Sequence, residues 1–352
     1  MRTLIVLLRC STKTYNDGMA DDPTPYSGLT PDTILDAVES LGLACDGHLH
    51  ALNSYENRVY QVGIEDQKPV VAKFYRPARW SDAQIDEEHA FAAELDSLEI
   101  QVVAPSAFDG RTLHHFGGFR FAVFPRRGGR SPELEDPVVL EWIGRFMGRI
   151  HAVGATRPFA HRPALDIESF GREPRQWLLG HDFIPADLRE AWVAVADLAL
   201  EGVARCYERA GPVGKLRLHG DCHAGNILWT PLDSMQSAPG PHFVDLDDAR
   251  TGPAVQDLWM LLSGDRETMS RALGDVLAGY EDFCDFNRRE LHLLEALRTL
   301  RLLHYSAWLA RRWDDPAFPL AFPWFNTHRY WQDRIIELRE QVGAMNEPPL
   351  TA

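Results

Sequence analysis

The 352-residue sequence predicts an α+β fold in two lobes: a small antiparallel β-rich N-terminal lobe and a larger, mainly helical C-terminal lobe. Three observations carry this expectation. β-Branched and aromatic runs fill the first third, in "NRVYQVGI", "PVVAKFYR" and "FRFAVFP". A polar stretch with glycines and prolines, "RRGGRSPELEDP", follows residue 125. Beyond it, apolar residues recur at helical spacing, as in Leu140, Ile143, Met147 and Ile150.

The elements follow in order. "TPDTILDAVESLGL" (30–43) reads as a helix with Thr30 as N-cap, Pro31 in the first turn and Gly42 as the stop. "NRVYQVGI" and "PVVAKFYR", separated by "EDQK", form a hairpin. Ser81 caps a second helix over 81–98, and "FRFAVFP" (119–125) alternates as a strand. The lobe boundary falls at 125/126, with "RRGGR" a solvated linker, giving lobes over 30–125 and 126–345 and a tail over 346–352. In the second lobe "LREAWVAVADLALEGVARCYER" and 288–313 read as long helices, and the aromatics from Trp308 to Trp331 as core and groove wall. No internal repeat stands out.

Composition excludes some classes of function. Lys and Arg number 36 against 51 Asp and Glu, a formal charge of −15. Broad binding to nucleic acid or an anionic membrane is therefore not expected. Five scattered cysteines form no framework, which suits a reducing compartment. No apolar run is long enough to span a membrane. "MRTLIVLLRC" has a five-residue apolar core without a small-residue cleavage site, so residues 1–29 are expected to be a disordered tail or a mis-assigned start, with Met19 as the alternative.

The chemistry concentrates in "LHGDCHAGNILW" (218–229), which permits three readings. His219 and His223 are four apart, as zinc ligands on a helix would be, but Gly220 and Gly225 argue against a helix and no third ligand is suitably spaced. Cys222 as a nucleophile lacks a base with an orienting partner. For phosphoryl transfer the partners exist: Asp221 and Asn226 lie five apart ahead of an apolar strand, and "HFVDLDD" delivers Asp245 on a second strand. One carboxylate can orient an attacking hydroxyl, while an amide oxygen and a second carboxylate suit Mg²⁺, which prefers hard oxygen ligands.

"HGDxxxxN" followed by "FVDLDD" resembles the catalytic core of the aminoglycoside/choline phosphotransferase superfamily, with its protein-kinase-like bilobal fold. Together with "LNSYENRVYQ", "VAKFYRP", "DARTGPAVQDLWMLL" and "FPWF", these motifs resemble the bacterial stress response kinase A family over residues 30–350, with 1–18 outside the likeness. The resemblance implies a cytoplasmic, monomeric serine/threonine protein kinase of stress survival, using ATP and Mg²⁺ and phosphorylating itself among other proteins. By that likeness Asp221 and Asp245 are catalytic and Asn226 and Asp245 hold the metal. Lys73 contacts the nucleotide phosphates, with Glu88 as its helix partner and Glu87 as the rival, and Ser54 binds ATP.

Two departures matter. The nucleotide loop "LNSYENRVY" has no G-x-G-x-x-G, so side chains such as Ser54 and Asn57 are expected over the phosphates. The segment from Asp245 to Asp257 is too short for an activation loop, and Thr251 is its only hydroxyl residue. Asp257 and His219 are expected to be structural; Asp247 and Asp248 could cap or bridge, or approach metal through water. A small-molecule kinase acting on an amino alcohol, sugar or aminoglycoside shares the same core, and the acidic charge would suit a cationic acceptor. A nucleotide-binding pseudokinase is the non-enzyme alternative.

Overall fold

The computed structural model describes residues 25–232, 234 and 238–351. The N-lobe comprises α1 (Pro31–Glu39), β1 (Cys45–Leu52), β2 (Arg58–Ile64), β3 (Val70–Phe74), α2 (Asp82–Ser97), β4 (His114–Phe116) and β5 (Phe119–Pro125). The strands form one antiparallel sheet in the order β1-β2-β3-β5-β4. Ala72, Phe74, Phe121 and Val123 pack one face of it against Ile34 and Val38 of α1. Lys73, with the opposite side-chain direction, faces away from α1. Both expected helix caps form: Thr30 Oγ1 accepts from Thr33 N, and Ser81 and Gln84 make a reciprocal capping box. α1 ends at Glu39 rather than running to 43, and the chain turns at Gly42, whose φ is +83°. β1 had no readable signal, because six of its eight residues are exposed and Gly47 sits in a register shift.

The C-lobe opens with α3 (Pro137–Gly154), then α4 (Glu173–Gly180) and α5 (Ala186–Ala210). Four short strands follow, β6 (Leu216–Leu218), β7 (Ile227–Thr230), β8 (Gly240–Phe243) and β9 (Arg250–Gly252), paired β6 with β9 and β7 with β8. The last elements are α6 (Val255–Trp259), α7 (Arg266–Tyr280), α8 (Leu294–Ala310), α9 (Ala317–Ala321) and α10 (His328–Ala344). The continuous helix expected over 288–313 is instead a 3₁₀ turn over Arg288–Leu293 leading into α8. The expected aromatic core exists: Phe318, Phe325 and Trp331 are buried against Trp192, whereas Trp324 stays 43% exposed.

The lobes share more than a linker. Phe91, Ala92 and Leu95 of α2 and the following Ile100 and Val102 are buried in the C-lobe core with Met147 and Phe243. Gln101 and Val103 exchange backbone hydrogen bonds with Phe243. The 126–130 segment is not simply solvated, since Arg130 and Trp229 exchange both backbone bonds and extend the β7–β8 ladder. Of the expected 1–29 tail, residues 1–24, with Met19, lie outside the described residues, while Tyr26 donates to Glu56 O at 2.9 Å and Leu29 packs on the N-lobe core. Among the described residues no helix is long and apolar enough to cross a membrane.

In the C-lobe α3 packs closely on α7, and glycine permits it. A Cβ on Gly144 would stand 1.9 Å from Val276 O, a backbone atom that cannot step aside. Gly144→Ala should therefore destabilise the protein by about 1–3 kcal/mol in urea unfolding. Val138→Ser, on the same helix but half-exposed, should stay within about 0.5 kcal/mol.

Candidate functional site

The site lies where β3 and α2 of the N-lobe meet the β6–β9 segment of the C-lobe. β3 carries Lys73 into the junction, where it is only 6% exposed. Its Nζ lies 2.7 Å from Asp245 Oδ1 and 3.4 Å from Asp247 Oδ1, above the Tyr75 ring. Burial alone would lower its pKa, but the carboxylates of Asp245, Asp247 and Glu88 outweigh it and hold the ammonium charged.

The expected Lys73–Glu88 ion pair is not formed, and this corrects the sequence reading. Glu88 is buried and takes Arg162 Nη2 at 2.6 Å instead. Glu87 accepts backbone N–H groups from Ala160, His161 and Arg162. Arg162 enters from the α3–α4 connection, donates to Gln84 O and Asp247 O and lies over Trp80. Glu88 therefore reaches Lys73 only through space. Burial raises its pKa to about 7 against the pull of Lys73 and Arg162.

Two buried acids shape the loops of the C-lobe. Asp257 of α6 accepts from the backbone N–H groups of His219 and Gly220, both at 2.8 Å, and from His151 Nε2 at 3.1 Å. Gly220 has φ +87°, and a Cβ there would meet Asp248 O at 2.0 Å, so the glycine of "HGD" lets the two loops touch. His219 donates to Val244 O at 2.9 Å. The structural roles expected for Asp257 and His219 hold. Asp247 is likewise buried; Arg79, Lys73 and Asn57 Nδ2 surround it, and against the cost of burial the charges of Arg79, Lys73 and Arg162 lower its pKa to about 2. Asp248 pairs with Arg79 and Arg250.

The loop between these anchors presents Asp221. Its Oδ1 lies 2.8 Å from Arg301 of α8 and its Oδ2 3.5 Å from His223 Nε2. Burial opposes ionisation, but Arg301 and His223 hold the carboxyl well below the usual range. Asn226 donates its amide nitrogen to Asp221 O at 2.9 Å, leaving the amide oxygen as its available metal ligand. Asn226 O accepts from Val244 N, so the end of the β7–β8 ladder sets Asn226 beside the strand that leads to Asp245. Asp245 adopts a left-handed backbone, φ +61° and ψ +62°, costly for a residue with a Cβ, and its carboxylate is 52% exposed.

Asn226 and Asp245 offer hard oxygens suited to Mg²⁺. Among the described residues no cluster of three or more His, Cys, Asp or Glu could hold a metal alone, so an ion here would need oxygens from a ligand. The zinc geometry fails, because His219 faces Val244 O while His223 Nδ1 accepts from Gly225 N. Cys222 is buried beside Met147 and burial raises its pKa far up, so it is an inert thiol.

The β1–β2 loop covers the site in an unexpected way. Ser54 is half-buried and makes no hydrogen bond within the described residues. Asn57, expected over phosphates, is spent at both ends, donating to Asp247 Oδ2 and accepting from Arg76 N. Glu56 accepts from Trp308 Nε1 at 2.5 Å and Arg312 Nε at 2.7 Å, which ties the loop to α8. Arg79, Arg162, Arg301 and Glu56 were not singled out from sequence, because their partners lie 74 to 252 residues away and no local pattern marks them.

With this geometry in hand, the chain can be set beside known proteins. The phosphotransferase enzyme family matches residues 48–294. Stress response kinase A of Escherichia coli K12 is 46% identical over 325 residues, covering 92% of this chain and 96% of that protein. A Salmonella typhimurium LT2 relative called serine/threonine protein kinase RdoA is 46% identical over 332 residues, covering 94% and 98%. Among solved structures, an amicoumacin kinase bound to an ATP analogue superposes with a TM-score of 0.67 at 16% identity, over 89% of this chain and 93% of that one. A microcompartment-associated aminopropanol kinase gives 0.63 at 20% identity, over 88% and 95%, and both likenesses establish the kinase-like fold. The chain belongs to the phosphotransferase enzyme family, within the stress response kinase A group.

Proposed function

We propose that this chain is an ATP- and Mg²⁺-dependent serine/threonine protein kinase, itself among its acceptors, acting as a cytoplasmic monomer in stress response. The observation that carries the reading is the convergence of Asp221, Asn226 and Asp245 beneath a buried Lys73. The 46% identity to a protein called a serine/threonine protein kinase favours protein as the acceptor. The similar small-molecule kinases are 20% identical or less, and their acceptors carry no weight here.

Asp221 is the group that orients the acceptor hydroxyl and takes its proton, and its low pKa keeps it ionised for that task. Lys73 holds the nucleotide phosphates as a fixed positive charge, and Ser54, free of other bonds, lies in the loop above them. Asn226 and Asp245 would hold Mg²⁺, which neutralises phosphate charge during transfer. The full set of these residues favours an active enzyme over a pseudokinase.

Asp221→Asn should lower single-turnover transfer about 10²–10⁴-fold while Mg²⁺–ATP affinity changes little. Asp245→Asn should weaken nucleotide binding in Mg²⁺ and leave metal-free binding nearly unchanged. Isothermal titration alongside labelled-ATP transfer separates the two; loss of metal dependence in Asp221→Asn alone would reverse the roles. Running the transfer on protein acceptors and on a small-alcohol panel decides the acceptor class.

Glu88→Gln should act mainly on folding. It removes the carboxylate paired with a fully buried Arg162, leaving that cation only backbone oxygens, so urea unfolding should show a loss on the order of 3–5 kcal/mol. A turnover defect in a variant of unchanged stability would restore Glu88 as the partner of Lys73.

Thr251 is built into β9, its backbone bonded to Pro163 and Leu165, so the segment after Asp245 holds no mobile phosphosite. Phosphatase-treated enzyme should turn over at its full rate without a lag. A lag abolished by preincubation with ATP would locate control elsewhere in the chain.

A further inference from the structure

Helix α8 carries Arg301, Tyr305 and Trp308 at intervals of four and three residues, so they form one stripe on its surface, and Arg312 follows in the turn just past the helix end. Contacts fix both ends of that stripe. Arg301 meets Asp221, and Trp308 with Arg312 meets Glu56 of the β1–β2 loop. Tyr305 stacks on Trp308 between them, with ring centroids 5.6 Å apart. The wall beside the Asp221 carboxylate is therefore aromatic with a cation at each end, and the two carboxylates it meets are already engaged.

Arg301 is the more telling end. Its side chain is 37% exposed, and Asp221 is its only ionic or hydrogen-bonding partner among the described residues. A guanidinium has five N–H donors in a fork that matches a carboxylate, so most of them are unspent. They stand where an acceptor hydroxyl must come to reach Asp221. A cationic group there would face Arg301 at close range, and like charges a few ångströms apart repel strongly where water is partly excluded. An anionic group would take the fork and draw it from Asp221 Oδ1, freeing that oxygen for the hydroxyl. The −15 charge of the whole chain does not oppose this, because charges beyond about 8 Å are screened at physiological salt.

We propose that Arg301 is a specificity-determining residue that recognises a carboxylate beside the acceptor hydroxyl, so that the substrate is a serine or threonine flanked by acidic residues. The acidic-peptide form rests on the protein-kinase reading above. Arg301 then has two positions: on Asp221 in the empty enzyme and on the acceptor's carboxylate in the complex.

The test uses the full chain with Mg²⁺ and ATP and three serine peptides that differ only in flanking Glu, Ala or Lys. Wild type should favour the Glu peptide over the Lys peptide at least tenfold in kcat/KM, mostly through KM. Arg301→Glu should reverse the order and Arg301→Lys should keep it, with thermal melts confirming that both variants fold. Equal use of the peptides by wild type, or the wild-type order surviving in Arg301→Glu, overturns the inference while leaving the protein-kinase reading intact. Hydroxy acids and amino alcohols run in parallel distinguish the other failure. If no peptide is phosphorylated the protein-kinase reading falls; transfer to hydroxy acids whose KM rises in Arg301→Glu and stays low in Arg301→Lys would still uphold the role of Arg301, and transfer to amino alcohols would refute it.

Discussion

The placement of the two lobes depends on the buried carboxylate of Asp247. From the N-lobe it receives Lys73, Arg79 and Asn57, and Arg162 closes over its backbone oxygen from the C-lobe. Buried ion pairs add little net stability, because desolvation offsets their attraction, but an unpaired member is costly. The cluster therefore penalises any arrangement that separates β3 from the Asp245–Asp248 loop. Its consequence is positional: Lys73 is held against Asp245, and Asp245 keeps its left-handed backbone in the same contact. Asp257 does the equivalent for the Asp221 loop, bonding two consecutive backbone amides where Gly220 passes Asp248.

What the sequence disclosed divides along interaction range. The Thr30 and Ser81 caps, the β2–β3 hairpin and β5 were readable because each is set by residues a few positions apart. "HGDxxxxN" was readable for a related reason: the turn at Gly220 and the Asn226 bond to Asp221 O are local. The partner of Glu88 was not readable, since Arg162 lies 74 residues away in a loop with no period. Asn57 was misjudged on the same ground, because its polar side chain suited either a ligand or Asp247, 190 residues on. β1 was missed for another reason: an exposed edge strand needs no alternation of apolar residues.

Net charge is a whole-chain number and does not describe the site. The −15 total suggested a cationic acceptor, yet the side chains around the site include Lys73, Arg79, Arg162, Arg250 and Arg301. Each is matched to one of Asp245, Asp247, Asp248, Glu88 or Asp221, so the site is close to neutral while the remaining surface carries the excess. On the proposed function, anionic phosphates entering such a site would exchange partners with cations already in place. Of the acids paired with those cations, Asp245 and Asp221 are the two proposed for metal and hydroxyl.

The same exchange extends to the roof of the site. Glu56 ties the β1–β2 loop to Trp308 and Arg312, while Arg58 and Arg76 reach Asp315 just beyond α8. Tyr55 of that loop packs on Phe322, 4.8 Å between ring centroids. The β1–β2 loop, which has no glycine-rich turn, is thus held by C-lobe side chains, in part through the helix that also carries Arg301. The stripe that sets Arg301 beside Asp221 also fixes the loop above Lys73 through Glu56, so one stretch of chain holds both the Asp221 side and the β1–β2 side of the site.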